Sequence, residues 1–355
     1  MKVLVMPDWR AGNPYLELNE SAVRQLDPLL KFQYDGFRHG VFSLFPAWLR
    51  SGGARVIHLH WLDELVAPIL WSRSRTLARL KVAAIVFQVS ALRLIGVRIV
   101  LTLHNLHSHE SLNPQLETDV LSRIANSVSD VVVHSESAAN RVEATYLSLR
   151  KRKITIIEHP NYDGFYANRD DVISNINARR SDLIELLFFG NIRPYKGVEE
   201  AVDAMAHLSR SDIQLTIAGA VADAPLKKRL QEAAHRNPRI SLQLGKINDG
   251  HVFELFSKSD VVIVPFRRTL TSGSIVLAMT MGRPVISTPE AKVLDLIDNT
   301  NGYLCSFKEM PALLDSLDNT TLSNMRIAAR TTADRLDQSS LGDKLLRIYR
   351  KNEYI

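Results

Sequence analysis

The chain has 355 residues, 46% apolar and 23% charged, which is too apolar for a disordered chain and longer than one hydrophobic core ordinarily supports. Its net charge of +6 comes mostly from residues 51–100, where seven Lys/Arg face two Asp/Glu. The single cysteine, Cys305, excludes an internal disulfide framework and fits a reducing compartment.

The opening stretch MKVLVMPDW reads as a strand and a turn, not as a cationic, apolar leader. Further strands are expected in RVIHLH (55–60), RIVLTLH (98–104), DVVVHS (130–135) and KITIIEH (153–159). Between them, residues 71–97 form a basic segment that runs on into an amphipathic helix with Trp71 at its start. Its apolar run, 82–97, is broken by Gln88, Ser90 and Arg93 and is too short and polar to span a bilayer. Such a segment suits an interfacial helix on anionic lipid, and equally a core helix whose arginines lie on its solvated face. Aromatic residues are not interleaved with the basic ones, so a nucleic-acid partner is not expected.

The polar stretch 168–182 is the best linker, and a second series follows it: LIELLFFG (183–190), IQLTIAG (213–219), ISLQLG (240–245), DVVIVPF (260–266) and RPVIST (283–288). Near-continuous apolar strands alternating with helices predict parallel sheets covered on both faces. The fold class is therefore α/β, with two Rossmann-like doubly wound domains at 1–170 and 171–338. A last helix within 339–355 is expected to pack back on the first domain.

Eight of the eleven histidines lie in the first half, and His58, His60, His104, His134 and His159 stand at or near strand ends. Zinc ligation, capping and core roles, and recognition of a polyhydroxylated or phosphorylated ligand with one acid/base are the three readings. No pair has tight ligand spacing and no Cys is near, so no metal is expected.

The second half carries the sharper chemistry. LLFFGNIRPYKGVEEAVDAM (186–205) is a buried strand, a glycine-containing turn and a helix, with Arg193 and Lys196 at a helix start that suits a diphosphate. Strands ending at Gly219 and Gly245 allow close backbone approach to a base or ribose, and Ser272, Gly273 and Ser274 open another amide-rich anion site. Taken in order, FGNIRPYKGVEEAVDAM, TIAGA, SDVVIVPF and AMTMGRPVIST resemble the donor half of GT-B nucleotide-sugar glycosyltransferases. The resemblance implies a nucleoside-diphosphate sugar bound in a cleft between two Rossmann-like domains, without a metal or other cofactor. It puts donor contacts on Gly190, Asn191, Arg193, Lys196, Gly219, Gly245, Ile247, Ser272, Gly273 and Ser274. Lys196 falls at the family's phosphate-binding lysine; Asn191 stands where the family usually has arginine, and Arg193 is the replacement.

In the first half, GNPYLELNESAV (12–23), IHLHW (57–61) and TLHNLHSHE (102–110) resemble bacterial exopolysaccharide glycosyltransferases, and more loosely lipid-linked β-1,4-mannosyltransferases and the xanthan mannosyltransferases. That likeness puts acceptor contacts on Asn13, His60, Trp61, His104 and Asn105.

Retaining members of this superfamily carry two glutamates, the second just before AM-x-x-G-x-P-V. Here those positions are Thr269 and Leu277. Asp249 and Glu254 are substitutes for gripping the ribose. Loss of the pair points to inversion, which needs a base on the acceptor side. Glu110, His109 and Asp8 rank first for that role, with Asp63 and His104 also in reach. The expected activity is transfer from a nucleotide sugar, GDP-mannose first and a UDP-sugar second, to a lipid-diphosphate-linked saccharide in exopolysaccharide or surface-glycan synthesis. The expected place is cytoplasmic, peripheral at the inner face of the membrane, held through the basic 71–97 segment. A sugar-nucleotide epimerase of the same architecture and a non-catalytic sugar-nucleotide-binding module are the alternatives.

Overall fold

The structure is a computed structural model that describes residues 1–70, 74–107, 114–176 and 182–351. The chain divides into two compact units, Met1–Pro160 with Gln338–Ile355, and Asn161–Asp337.

The first unit alternates β1 (Lys2–Met6), α1 (Tyr15–Leu26), β2 (Lys31–Tyr34), α2 (Leu44–Arg50), β3 (Val56–Leu59), α3 (Asp63–Leu70), α4 (Arg75–Leu94), β4 (Arg98–Thr102), α5 (Pro114–Ser127), β5 (Asp130–Val133), α6 (Glu136–Thr145) and β6 (Ile154–Ile156). All strands are parallel, in the order β2-β1-β3-β4-β5-β6. The burial of β1 and β3 to β5 follows from their unbroken apolar runs, since helices cover both faces of such a sheet. In this order the chain leaves β1 toward one edge and β3 toward the other. The carboxyl ends of β1 and β3 therefore flank the crevice where open α/β sheets bind ligands.

The second unit runs α7 (Arg169–Ile176), β7 (Ile184–Phe189), α8 (Val198–Ala206), β8 (Ile213–Gly219), α9 (Ala224–Arg236), β9 (Ile240–Leu244), α10 (Asp249–Lys258), β10 (Val261–Val264), α11 (Gly273–Thr280), β11 (Val285–Ser287), β12 (Gly302–Leu304), α12 (Met310–Asp315) and α13 (Asn319–Asp334). Its parallel order, β12-β11-β10-β7-β8-β9, puts the reversal between β7 and β10. Its core packs Phe188, Ile217, Ile263 and Ile286 of the sheet against Val198, Met205 and Leu226 of the helices.

The chain then returns to the first unit as α14 (Gln338–Arg350), which lies along α1. Gly342 permits this, because a Cβ there would stand 2.4 Å from the Ala22 carbonyl oxygen. Arg350 reaches Asp27 at 2.6 Å, and the buried Tyr349 hydroxyl meets His58 Nδ1 at 2.7 Å.

The unit boundary falls at Pro160/Asn161, ahead of the division at 170 that composition suggests. Asn161 N–H donates to the Leu336 carbonyl (2.9 Å) and Arg330 pairs with Asp163, so this segment is fastened to α13. The polar stretch 168–182 is helical over Arg169–Ile176, and α7 packs on α13. Residues 177–181 lie outside the described ones. The ten expected strands are present; β2 and β12, which the apolar pattern does not announce, each form one edge of their sheet.

Candidate functional site

Beside the ends of β7, β8 and β10, Gly197 and Gly219 let backbone lie against backbone. A Cβ at Gly219 would fall 1.9 Å from the Gly190 carbonyl oxygen, and one at Gly197 would fall 2.0 Å from the Pro265 carbonyl oxygen. Gly190 (φ 113°), Gly197 (φ 74°) and Gly219 (φ 146°) all hold conformations that a side chain would resist. Gly190 N–H donates to the Ala218 carbonyl at 3.0 Å, and Gly245 N–H to the Gly219 carbonyl at 2.9 Å, lacing three strand ends together. Arg267 N–H donates to the Tyr195 carbonyl (2.8 Å) and its side chain pairs with Glu200, which fixes the turn against the segment before α11.

This lacing brings distant pieces of sequence to one point. The place where a Gly190 side chain would begin lies 3.3 Å from Ser274 Oγ and 3.4 Å from Lys196 Nζ. Ser272 caps α11, its Oγ accepting from Ile275 N–H at 3.2 Å, and the first-turn amides of α11 open beside Ser274. A lysine, a serine hydroxyl, a helix start and a bare glycine backbone are groups that suit a diphosphate. Burial, and next Arg193, push the Lys196 ammonium down to about 8, so an anion that pairs with it relieves a desolvated charge. Asn191 is exposed; Gly245 follows β9 at the rim, with Ile247 half-buried two residues on.

Thr269 and Leu277 fill their places as buried residues: Thr269 Oγ1 donates to the Thr271 carbonyl (2.9 Å), and Leu277 is 4% exposed. Of the substitutes, Glu254 is exposed and pairs with Lys258 one turn along α10, while Asp249 is the exposed first residue of that helix.

In the first unit the strand-end histidines lie beneath the rim instead of on it. His58, His60, His104, His134 and His159 are all buried, because Tyr15 at the start of α1 closes over them; its ring centroid lies 4.9–5.7 Å from four of theirs. His58 is fully bonded, to the Tyr349 hydroxyl and to Thr102 Oγ1 (2.8 Å). His60 Nδ1 and His104 Nε2 are 3.0 Å apart, and His134 and His159 donate from Nδ1 to the carbonyls of Ile157 and Pro160. Burial pushes His58 and His159 down to about 3 and His134 to about 4, and His60 and His104 well below the ordinary value. These rings are neutral, so they do not form a cationic phosphate rim. Among the described residues no three His, Cys, Asp or Glu side chains converge on a metal position.

Of the expected bases, His109 and Glu110 lie outside the described residues. Asp8 is held by Arg10 through two contacts of 2.8 and 2.9 Å, and that hydrogen bonding lowers its pKa, which weakens it as a base. Asp63 differs: burial, and next the charge of Glu117, raise its pKa. It lines a cavity of about 30 Å³ with Trp61, Thr102, His104, Asn105 and Glu117. Among the expected acceptor contacts, His104, Asn105 and Trp61 share this cavity; His60 is wholly buried, and Asn13 Oδ1 accepts from Tyr15 N–H (3.2 Å) at the head of α1.

Helix α4 turns Ala78, Val82, Ile85, Val89 and Leu92 inward. Its outward face is also apolar: Leu80 is 63%, Phe87 67% and Leu94 87% exposed, at helical spacing. Phe42 and Leu49, on the adjoining turn and α2, are exposed too, and Phe45 meets Phe87 ring to ring at 6.5 Å. Arg79 is exposed on the same helix. Among the described residues no helix is long and apolar enough to cross a membrane.

Residues 184–320, most of the second unit, match the family described as "Glycosyl transferases group 1". Fold and domain together make the chain a glycosyltransferase of GT-B architecture. A GDP-mannose:glycolipid 4-beta-D-mannosyltransferase of Xanthomonas campestris pv. campestris is 29% identical over 319 residues, covering 88% of this chain and 84% of that protein. An alpha-D-kanosaminyltransferase of Streptomyces kanamyceticus is 25% identical over 280 residues, 73% of this chain and 72% of that one. In structure the chain is similar to Anabaena HepE crystallised with UDP and glucose (TM-score 0.71, 15% identity, 99% and 100% covered). It is similar also to sucrose-phosphate synthase from Thermosynechococcus elongatus (TM-score 0.73, 16% identity, 99% and 98% covered).

The buried histidines set a pH dependence. The unfolded chain protonates each near 6.5 while the folded chain keeps it neutral down to 4 or 3, so the unfolded state binds more protons and stability falls as pH falls below 6.5. Each histidine contributes up to about 1.4 kcal/mol per pH unit in that window. Melting scans from pH 7.5 to 5 should show a progressive drop in Tm, and replacing His60 and His104 by Gln should flatten it.

Proposed function

We propose that this glycosyltransferase takes a sugar from a nucleoside-diphosphate sugar, GDP-mannose first among them, and passes it to a lipid-diphosphate-linked saccharide in bacterial exopolysaccharide or surface-glycan synthesis. The observation that carries the donor half is the meeting of Lys196 Nζ and Ser274 Oγ at Gly190, on the β7/β10 reversal. The relative whose name specifies GDP-mannose and a glycolipid supports the choice of sugar and acceptor. In this reading Lys196, Ser274 and the first amides of α11 hold the diphosphate and stabilise its charge as it leaves. Metal is not required, because these groups supply the positive field.

The reaction inverts. Neither Thr269 nor Leu277 offers a carboxylate, and Asp63, with its raised pKa, is the base: it takes the proton of the acceptor hydroxyl as that oxygen attacks the anomeric carbon and the bond to the diphosphate breaks. The enzyme works at the cytoplasmic face, where the apolar ridge of Leu80, Phe87 and Leu94 sinks into the lipid boundary and nearby arginines meet anionic headgroups.

A thermal-shift comparison of GDP, UDP and ADP tests the donor site: GDP should stabilise the wild type most, and Lys196→Ala should abolish the shift. Asp63→Asn should keep the GDP shift yet lower turnover by about a hundredfold. No shift with any nucleotide would refute the donor site. For the ridge, sedimentation with vesicles of phosphatidylglycerol should pull down the wild type, and Phe87→Glu with Leu94→Glu should leave the protein in the supernatant with its Tm unchanged.

A further inference from the structure

The first unit has its own reversal, between β1 and β3, and the residues that follow those two strands meet there in a form that the sequence does not announce. Trp9, beyond β1, stacks on Trp61, beyond β3, with centroids 5.2 Å apart and planes 22° apart. Trp61 in turn stacks on His104 at 4.3 Å and 15°, and Tyr15 meets it edge-on at 5.9 Å. The column thus rises from the buried histidines to the rim and ends in the half-buried Trp9 ring. Trp61 holds a φ of 21°, a backbone state that non-glycine residues seldom adopt and that the stack must maintain. Trp9 is locked as well, its Nε1–H donating to Glu64 Oε1 at 3.1 Å.

Charged residues of both signs flank Trp9 in the chain. Asp8 and Arg10 form a forked ion pair one residue to either side of Trp9, and Arg10 also lies over the Tyr34 ring at 3.8 Å. A rigid indole with a carboxylate at its edge and an ion pair on its chain neighbours matches a pyranose, which has an apolar C–H face and a girdle of hydroxyls. We propose that the Trp9–Trp61 stack is a saccharide platform, on which a pyranose ring of the acceptor lies against Trp9 while Glu64, Asp8 and Arg10 meet its hydroxyls. This rests on the transferase reading above, and it adds a residue, Trp9, and the face of the saccharide that it meets to the acceptor side. A nucleobase would also stack on an indole, but the mixed ionic fringe favours a ligand with hydroxyls all around.

The test uses the full-length chain labelled with 5-fluorotryptophan, its four tryptophan 19F resonances assigned by single Trp→Phe replacements. Methyl β-D-glucopyranoside and methyl α-D-mannopyranoside are the probes, with guanosine as the base. At least one glycoside should shift the Trp9 and Trp61 resonances saturably and leave Trp48 in place. In transfer assays Trp9→Ala should raise the acceptor KM about tenfold, with donor KM and kcat within about twofold, and Trp9→Phe should recover most of the loss. A response to guanosine and to neither glycoside, or no response to any probe, overturns the platform. GDP binding followed in the same sample separates the two readings: GDP binding without a glycoside shift removes the platform alone, and a glycoside shift without GDP binding removes the donor site alone.

Discussion

Everything proposed for the second unit depends on how closely backbone can approach backbone at one reversal of strand order. Gly219 admits the Gly190 carbonyl and Gly197 admits that of Pro265 to distances that no side chain would allow. The turn after β7 can then sit deep enough for Lys196 to reach the start of α11. Positive-φ backbone at three glycines thereby brings two separate βα turns to one place suited to an anion. The site is also poised: a half-buried lysine that is only half charged at pH 8 gains most when a diphosphate supplies the opposite charge.

The two units use the same topology for opposite chemistry. Both sheets reverse order once, and both place their distinctive residues at the carboxyl ends beside that reversal. In the second unit those residues are glycine, serine and lysine, suited to phosphate. In the first they are tryptophans over a neutral histidine bed, suited to a ring with apolar faces. The exposed apolar face of α4 is a third surface, and it lies along a single helix.

Much of this was legible in the sequence, for identifiable reasons. Central parallel strands are mostly apolar, so β1, β3 to β5, β7, β8 and β10 declare themselves. The edge strands β2 and β12 are short, and KFQY is half polar, since one side of an edge meets solvent. The pieces of the proposed diphosphate site are visible in the sequence as glycine and lysine at a βα turn, but their meeting with Ser274 depends on strand order. The histidines were misleading: their position at strand ends was right, but only the structure shows Tyr15 folded over them. Asp8 stood out as an acid at a strand end, yet its neighbour Arg10 neutralises it, whereas the burial of Asp63 follows from packing. Trp9 carries no local signal, because strand order, which pairs β1 with β3, is not written in local patterning. The outward face of α4 was ambiguous, since apolar residues at helical spacing do not reveal which of two faces the protein covers.

The central claim is that Lys196 holds the leaving diphosphate, and proton uptake on binding tests it most directly. Calorimetric titration of GDP at pH 8, repeated in buffers of different ionisation enthalpy, should show uptake of about half a proton per nucleotide, as a lysine near 8 in the free protein becomes fully charged against phosphate. The uptake should vanish in Lys196→Met. GDP binding of unchanged strength with no proton uptake in the wild type would contradict the account.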